Sequence, residues 1–303
     1  MGVLEHQNSG TEHILSSHNV VGRETRCDLC LDDPLVSMWH AELRWNGTMW
    51  EIRDLDSANG TFVDGRRIEH GERVALDAGN KIAFGSAVDC YELADDAPPC
   101  AAAIGPGGER QFADAELLAI PSPEDPQYTI FQECGRWIAE SSDGSRLPVT
   151  SRSSLQVGDQ TWRLDLPVPT NTTLRHEQQV LLRNLALRFL VTRDEEHVEV
   201  EFIHRGRATR LPSRVYWYML LILARTRLDD AAKASISVSE QGWMTAGDLA
   251  AGLGIDTNLL YQYICRARKM FSKTGVLDFA EVIERRPGSL LRVAIGELEV
   301  ETL

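Results

Sequence analysis

The chain has 303 residues, 43% of them hydrophobic and 25% charged, with a formal net charge of −14. That balance fits two or three ordinary globular domains and excludes a membrane helix, since no apolar run reaches the roughly eighteen residues one needs. Met1 to Gly10 has no basic segment followed by an apolar one, so the chain is expected to be cytoplasmic with no membrane partner.

The acidic balance argues against nucleic acid along the whole chain, because duplex binding leans on lysine and arginine. From Glu201 onward, however, 14 Lys and Arg stand against 12 Asp and Glu, so the acidity belongs to the first two hundred residues. The six cysteines, at 27, 30, 90, 100, 134 and 265, are scattered as reduced thiols would be. Cys27-Asp28-Leu29-Cys30 lacks a second Cys or His pair to complete a zinc site, and neither metal nor cofactor is expected.

In chain order, residues 1–11 are polar and are expected to be a disordered tail. A strand is expected near His13-Ile14-Leu15, leading to Gly22-Arg23. His40 to Trp45 and Thr48 to Leu55 alternate apolar and polar around Asn46-Gly47, which predicts a type I′ hairpin. A two-residue loop would set Trp45 against Thr48, Leu43 against Trp50 and Ala41 against Ile52. Glu42, Arg44, Glu51 and Arg53 would face solvent. Asp64-Gly65 marks a second tight turn, and the loops between these strands carry Arg23, Ser37 and Asn59.

Gly22-Arg23, Ser37 with His40, and Ser57 with Asn59-Gly60 together resemble the forkhead-associated (FHA) domain, over about residues 12–95. The resemblance implies a β-sandwich whose loops at one end bind phosphothreonine peptides. It assigns the phosphate to Arg23 and Ser37, the peptide backbone to Asn59, and loop shape to Gly22, His40 and Gly60. The chemistry suits a dianion, for which a guanidinium fork and a hydroxyl are good donors. Two positions depart from the family: Met38, where arginine or another polar residue is usual, and Ala58, where a hydroxyl is common. Each lost charged hydrogen bond costs about 1.5–3 kcal/mol, so roughly tenfold weaker binding is expected.

Asp95 to Pro99 and Gly105 to Gly108 mark a linker over 96–107. Residues 108–168 form a small β subdomain, with strands over Tyr128 to Glu133, Arg136 to Ser141 and Thr161 to Leu166. It is read as a degenerate partial repeat without any phosphate residue, serving as packing or spacing. Residues 169–184 form a second linker. Its Thr170, Thr172 and Thr173 are candidate phosphorylation sites that Arg23 and Ser37 could capture within one chain or across a homodimer.

Residues 185–303 open with short strands and continue in helices. One is expected from Arg214 to about Leu228 under a Ser213 cap. A second begins at the capping box Thr245 to Asp248 and ends at Gly254, and a third runs from Asp256 to Gly275. The third has an apolar stripe of Leu260, Ile264, Ala267 and Phe271. Opposite lie Asn258, Gln262, Arg266, Lys269 and Lys273, with Arg268 beside them. A hairpin follows around Pro287-Gly288-Ser289, with Arg285 and Arg286 near its tip.

This order resembles the winged helix-turn-helix effector domains of bacterial response-regulator transcription factors. The resemblance implies that Asn258, Gln262, Arg266, Arg268, Lys269 and Lys273 read double-stranded DNA while Arg285 and Arg286 touch its backbone. The whole then reads as a multidomain, non-enzymatic transcription regulator controlled by a Ser/Thr kinase, whose partner is a threonine-phosphorylated protein or its own linker. The rival reading is a phospho-dependent adaptor whose winged helix makes only protein contacts. No Walker loop, nucleophile elbow or zinc-protease helix supports catalysis.

Overall fold

The computed structural model describes residues 1–69, 71–86, 89–151, 153–167 and 180–303. It divides into two compact units. The first is Met1–Ala101 with Ser151–Ser153 and Leu164–Thr170, and the second is Ala102–Thr150, Ser154–Arg163 and Asn171–Leu303. Thr170, Thr172 and Thr173 of the expected 169–184 linker lie outside the described residues, while Val180 at its end bridges to Val276 and Leu182–Asn184 forms a 3-10 turn.

The first unit is a β-sandwich of a six-stranded and a five-stranded sheet. The five-stranded sheet is built on the predicted hairpin, Ala41–Trp45 and Trp50–Asp54, whose alternate residues Ala41, Leu43, Trp50 and Ile52 are fully buried. Their apolar faces meet Leu4, Ile82 and Leu93 of the other sheet in one core.

The hairpin register differs from the expected one: Trp45 pairs with Trp50, Leu43 with Ile52 and Ala41 with Asp54, across a four-residue loop. The Asn46 side chain dictates this, because its Oδ1 accepts from the backbone N–H of Thr48 and of Met49 at 2.9 and 3.0 Å. An asparagine that closes its own loop competes with the tight turn. The slip is two residues, an even number, so every side chain keeps its expected face.

Residues 1–11 are not a tail. Val3–His6 pairs antiparallel with Cys90–Asp95, and Leu4 is fully buried. One leucine in a polar stretch gave too little periodicity to reveal the strand.

In the second unit, two four-stranded sheets precede the helices. One contains Ala102–Ile104, inside the expected 96–107 linker, whose short alanine run is buried. The other, here called the clamp sheet, is Leu118–Ser122, Asp125–Glu133, Arg136–Ser141 and Arg146–Val149 in that order. A third sheet joins Leu185–Val191, Val198–His204 and Arg207–Arg210 to the C-terminal strand Glu297–Thr302.

Three helices follow: α1 (Trp217–Ala231), α2 (Ala246–Leu253) and α3 (Thr257–Lys273). Helix α1 begins later than expected, with Tyr216 rather than Ser213 at its cap and no capping side chain, because buried Tyr216 and Trp217 anchor its start. The other two caps form as predicted: Thr245 accepts from the Asp248 N–H, Gly254 closes α2 in the left-handed conformation, and Asp256 accepts from the Leu259 N–H. The hairpin Ile283–Arg286 and Leu290–Val293 gains a third strand, Met244–Thr245.

Leu117, Ala119 and Phe131 belong to the same core as Trp217, Leu249, Leu260 and Phe271. The clamp sheet is therefore part of the helical unit, since its Ala119 and Phe131 pack into the helical core.

Candidate functional site

The loops of the first unit converge through backbone and side-chain hydrogen bonds. The Arg23 N–H donates to the Ser37 carbonyl at 3.0 Å, and the Glu24 N–H to Met38 at 3.2 Å. This close approach needs Gly22, since a Cβ there would lie 2.2 Å from the Met38 carbonyl oxygen. Gly60 is needed for its backbone, whose φ of +89° lies in the region that favours glycine.

His40 is buried beneath these loops. Its Nδ1 accepts from the Ser37 N–H at 2.9 Å, so the neutral ring carries its proton on Nε2, which donates to the Gly60 carbonyl at 3.1 Å. Burial holds the imidazole below its usual pKa, hence neutral. Its two ring nitrogens thus join the serine loop to the asparagine loop. His40→Ala is expected to cost about 1–3 kcal/mol in denaturant unfolding and to weaken ligand binding, by leaving the Ser37 N–H and Gly60 carbonyl without partners.

Asp54 is a second anchor that the sequence reading missed. Burial alone would raise its pKa, but hydrogen bonds from the Ser57 side chain, Thr61 and the Ser57 backbone hold it below the usual range. Its signal was present: Asp54 occupies an inward position after Trp50 and Ile52, where only a satisfied carboxylate is tolerated.

Ser37 Oγ accepts from the Ala58 N–H at 3.0 Å, and Asn59 Nδ2 donates to the Leu35 carbonyl at 2.8 Å. Arg23 is exposed, and among the described residues its guanidinium makes no hydrogen bond or ion pair. The hydrogen-bonded loops thus carry one guanidinium without a partner among the described residues, a fork suited to bind an oxyanion. Met38 is 53% exposed and supplies no donor to that edge. The cysteines nearby are structural: Cys27 Sγ donates to the Met38 carbonyl at 3.3 Å, and Cys30 Sγ lies 3.8 Å from the Arg23 carbonyl.

In the second unit, the structure separates the residues expected to touch DNA. Asn258, Arg266 and Lys273 are exposed on α3, and Gln262 is half-buried. Arg268 and Arg285 are instead buried, with side-chain exposures of 0% and 6%. Both surround Glu140 of the clamp sheet, itself fully buried. Arg268 Nη1 donates to Glu140 Oε1 at 2.7 Å, Arg146 Nε to Oε2 at 2.8 Å, and Arg285 Nε lies 3.1 Å from Oε1. In this arrangement neither arginine can reach a duplex.

Lys269 is largely buried, and with Lys273 it pairs with Asp114 at 3.6 and 3.4 Å. Arg286 is held by Glu240 at 2.9 Å and stacks over Trp243. Glu140, Arg146 and Asp114 were missed by the sequence reading. None carried a local signal: counting by twos from Trp137 would place Glu140 on the opposite strand face, the one it shares with Ile138.

The FHA-domain family model matches residues 19–85. The chain is similar to FHA domain-containing protein FhaB of Mycobacterium tuberculosis, 35% identical over 75 residues, covering 24% of this chain and 48% of that protein. It is 41% identical over 58 residues to the oxoglutarate dehydrogenase inhibitor of Corynebacterium jeikeium, covering 19% of this chain and 40% of that protein. Human kanadaptin is 26% identical over 225 residues, which is 65% of this chain and 29% of kanadaptin. Among solved structures, Mycobacterium tuberculosis EmbR in complex with a low-affinity phosphopeptide matches with a TM-score of 0.29 and 28% identity, over 32% of this chain and 25% of that one. The chain thus spans less than half the length of each of these relatives. The N-terminal sandwich is an FHA domain. No helix among the described residues is long and apolar enough to cross a membrane.

Proposed function

We propose that this chain is a phosphothreonine-dependent regulator. Its FHA loops capture a threonine-phosphorylated segment, made by a Ser/Thr kinase, through Arg23, Ser37 and Asn59, and its helical unit binds DNA. The observation that carries the first half is the unengaged Arg23 guanidinium on loops pinned by His40 and Asp54. A preorganised anion site costs little reorganisation on binding.

Met38→Arg is expected to tighten phosphopeptide binding by about tenfold, because one added charged hydrogen bond contributes about 1.5–3 kcal/mol. Calorimetric titration of both proteins with one phosphothreonine peptide reads this directly, and an unchanged affinity would place residue 38 away from the phosphate.

DNA binding by the second unit is supported by the order of helix, strand, two helices and hairpin, and by the exposed row Asn258, Gln262, Arg266 and Lys273. The adaptor reading is favoured by a different observation: Arg268 and Arg285 are consumed by Glu140. Titrating the full chain with mixed-sequence duplex at several salt concentrations separates the two. DNA binding driven by phosphate contacts must weaken steeply with salt, whereas an adaptor shows no binding at the lowest salt.

A further inference from the structure

Arg268, Lys269 and Lys273 of α3 and Arg285 of the hairpin are held by two carboxylates in unlike ways. Glu140 is fully buried and engages Arg268, Arg285 and Arg146 inside the core, so those arginines are structural. Asp114 is 58% exposed and engages α3 over longer ion pairs, to the largely buried Lys269 and the exposed Lys273. The Lys273 pair, exposed on both sides, is individually weak.

The turn that delivers Asp114 is strained. Asp114 and Leu117 close it by exchanging backbone hydrogen bonds at 3.1 and 3.2 Å. Between them Ala115 and Glu116 have φ of 53° and 61°, two consecutive non-glycine residues in the left-handed region. Each costs of order 1 kcal/mol or more, and such strain persists where something else holds it. Here Leu117, fully buried in the core, holds one side of the turn, and the two lysines meet the carboxylate on the other.

The geometry points to an autoinhibitory contact: the Asp114 turn occupies Lys269 and Lys273 as a phosphate would, and a duplex must displace it to engage α3. This rests on the DNA-binding reading. With the turn in place the row offers Asn258, Gln262 and Arg266. With the turn released it gains two adjacent cations one helical turn apart, on the same face.

The test is salt-dependent titration of the full chain with mixed-sequence duplex, comparing wild type, Asp114→Asn, Asp125→Asn and Asp114→Asn combined with Lys269→Ala. Asparagine keeps the turn but loses the charge, and Asp125 is an exposed acid of the clamp sheet that controls for net charge. Asp114→Asn is expected to bind about fivefold tighter at low salt. The slope of log affinity against log salt should steepen by about two, one for each lysine released to phosphate. Lys269→Ala should remove about half of that gain, and Asp125→Asn should show none of it.

Equal affinity and slope for Asp114→Asn and wild type would overturn the gate while leaving DNA binding intact. A matching gain from Asp125→Asn would overturn it as well, by reducing the effect to bulk charge. Binding by none of the four proteins at the lowest salt would instead refute the DNA-binding reading, and the gate with it.

Discussion

Arg23→Ala is expected to lower the affinity for a phosphothreonine peptide by about a hundredfold while leaving the fold intact. The arginine is exposed and its guanidinium bonds to nothing else among the described residues, so truncating the side chain takes away ligand contact alone. Two charged hydrogen bonds from one fork contribute about 3 kcal/mol or more, which is the hundredfold. Ser37→Ala should cost less, about tenfold, because one hydroxyl is lost. It should also loosen the neighbouring loop, since Ser37 Oγ accepts from the Ala58 N–H. Titration calorimetry paired with a thermal unfolding scan distinguishes the two variants. Arg23→Ala should unfold with the wild type, and equal peptide binding by Arg23→Ala and wild type would place the phosphate elsewhere.

Glu140→Ala is expected to have the largest effect on stability, about 3–5 kcal/mol, because it strands Arg268 and Arg285 in the interior without a counter-charge. Burial by itself would raise the Glu140 pKa, but Arg268 first, then Arg285 and Arg146, pull it down to about 2. Burial also pushes Arg285 down to about 10, so it stays cationic at neutral pH. A carboxylate whose folded pKa lies below its unfolded value stabilises fully above the unfolded value. That contribution is lost as pH falls through the folded one. The second unit should therefore lose about 3 kcal/mol between pH 4.5 and about 2, and the loss should be absent in Glu140→Ala. Denaturant unfolding across that range measures it, read out by the helical signal of α1 to α3. Phosphopeptide binding at neutral pH should survive the substitution, because Glu140 belongs to the other unit. A variant as stable as wild type would show that the four charges do not hold the clamp sheet to α3.

The loops proposed to meet phosphate could be picked out in the sequence because each needs an uncommon residue at a fixed place. Gly22 answers a close backbone approach, Gly60 a positive φ, His40 joins two loops, and the Arg23 guanidinium makes no hydrogen bond or ion pair among the described residues. The faces of the Ala41–Trp45 and Trp50–Asp54 strands were legible from alternation, but their register was not. Alternation has period two, so a slip of two residues leaves the pattern unchanged, and the Asn46 side chain decided between them.

The α3 surface shows a different limit. Helical spacing gave the direction of Arg268 and Lys269 relative to the core stripe, yet a period along one helix carries nothing about which flank a distant sheet will cover. Glu140 lies 128 residues from Arg268 in sequence, and Asp114 is farther still from Lys269. An acid at an inward strand position was the available hint at Asp54, in step with Trp50 and Ile52, but not at Glu140, out of step with Trp137. Each recruits partners that no local pattern names.

The central claim, phosphate-dependent capture by the FHA loops, is tested most directly by titrating the full chain with matched pools of phosphothreonine and unmodified peptides, in wild type and Arg23→Ala. The account predicts binding of the phosphorylated pool alone, with the difference between pools erased in Arg23→Ala. Equal binding of the two pools by wild type, or binding of neither, would contradict it.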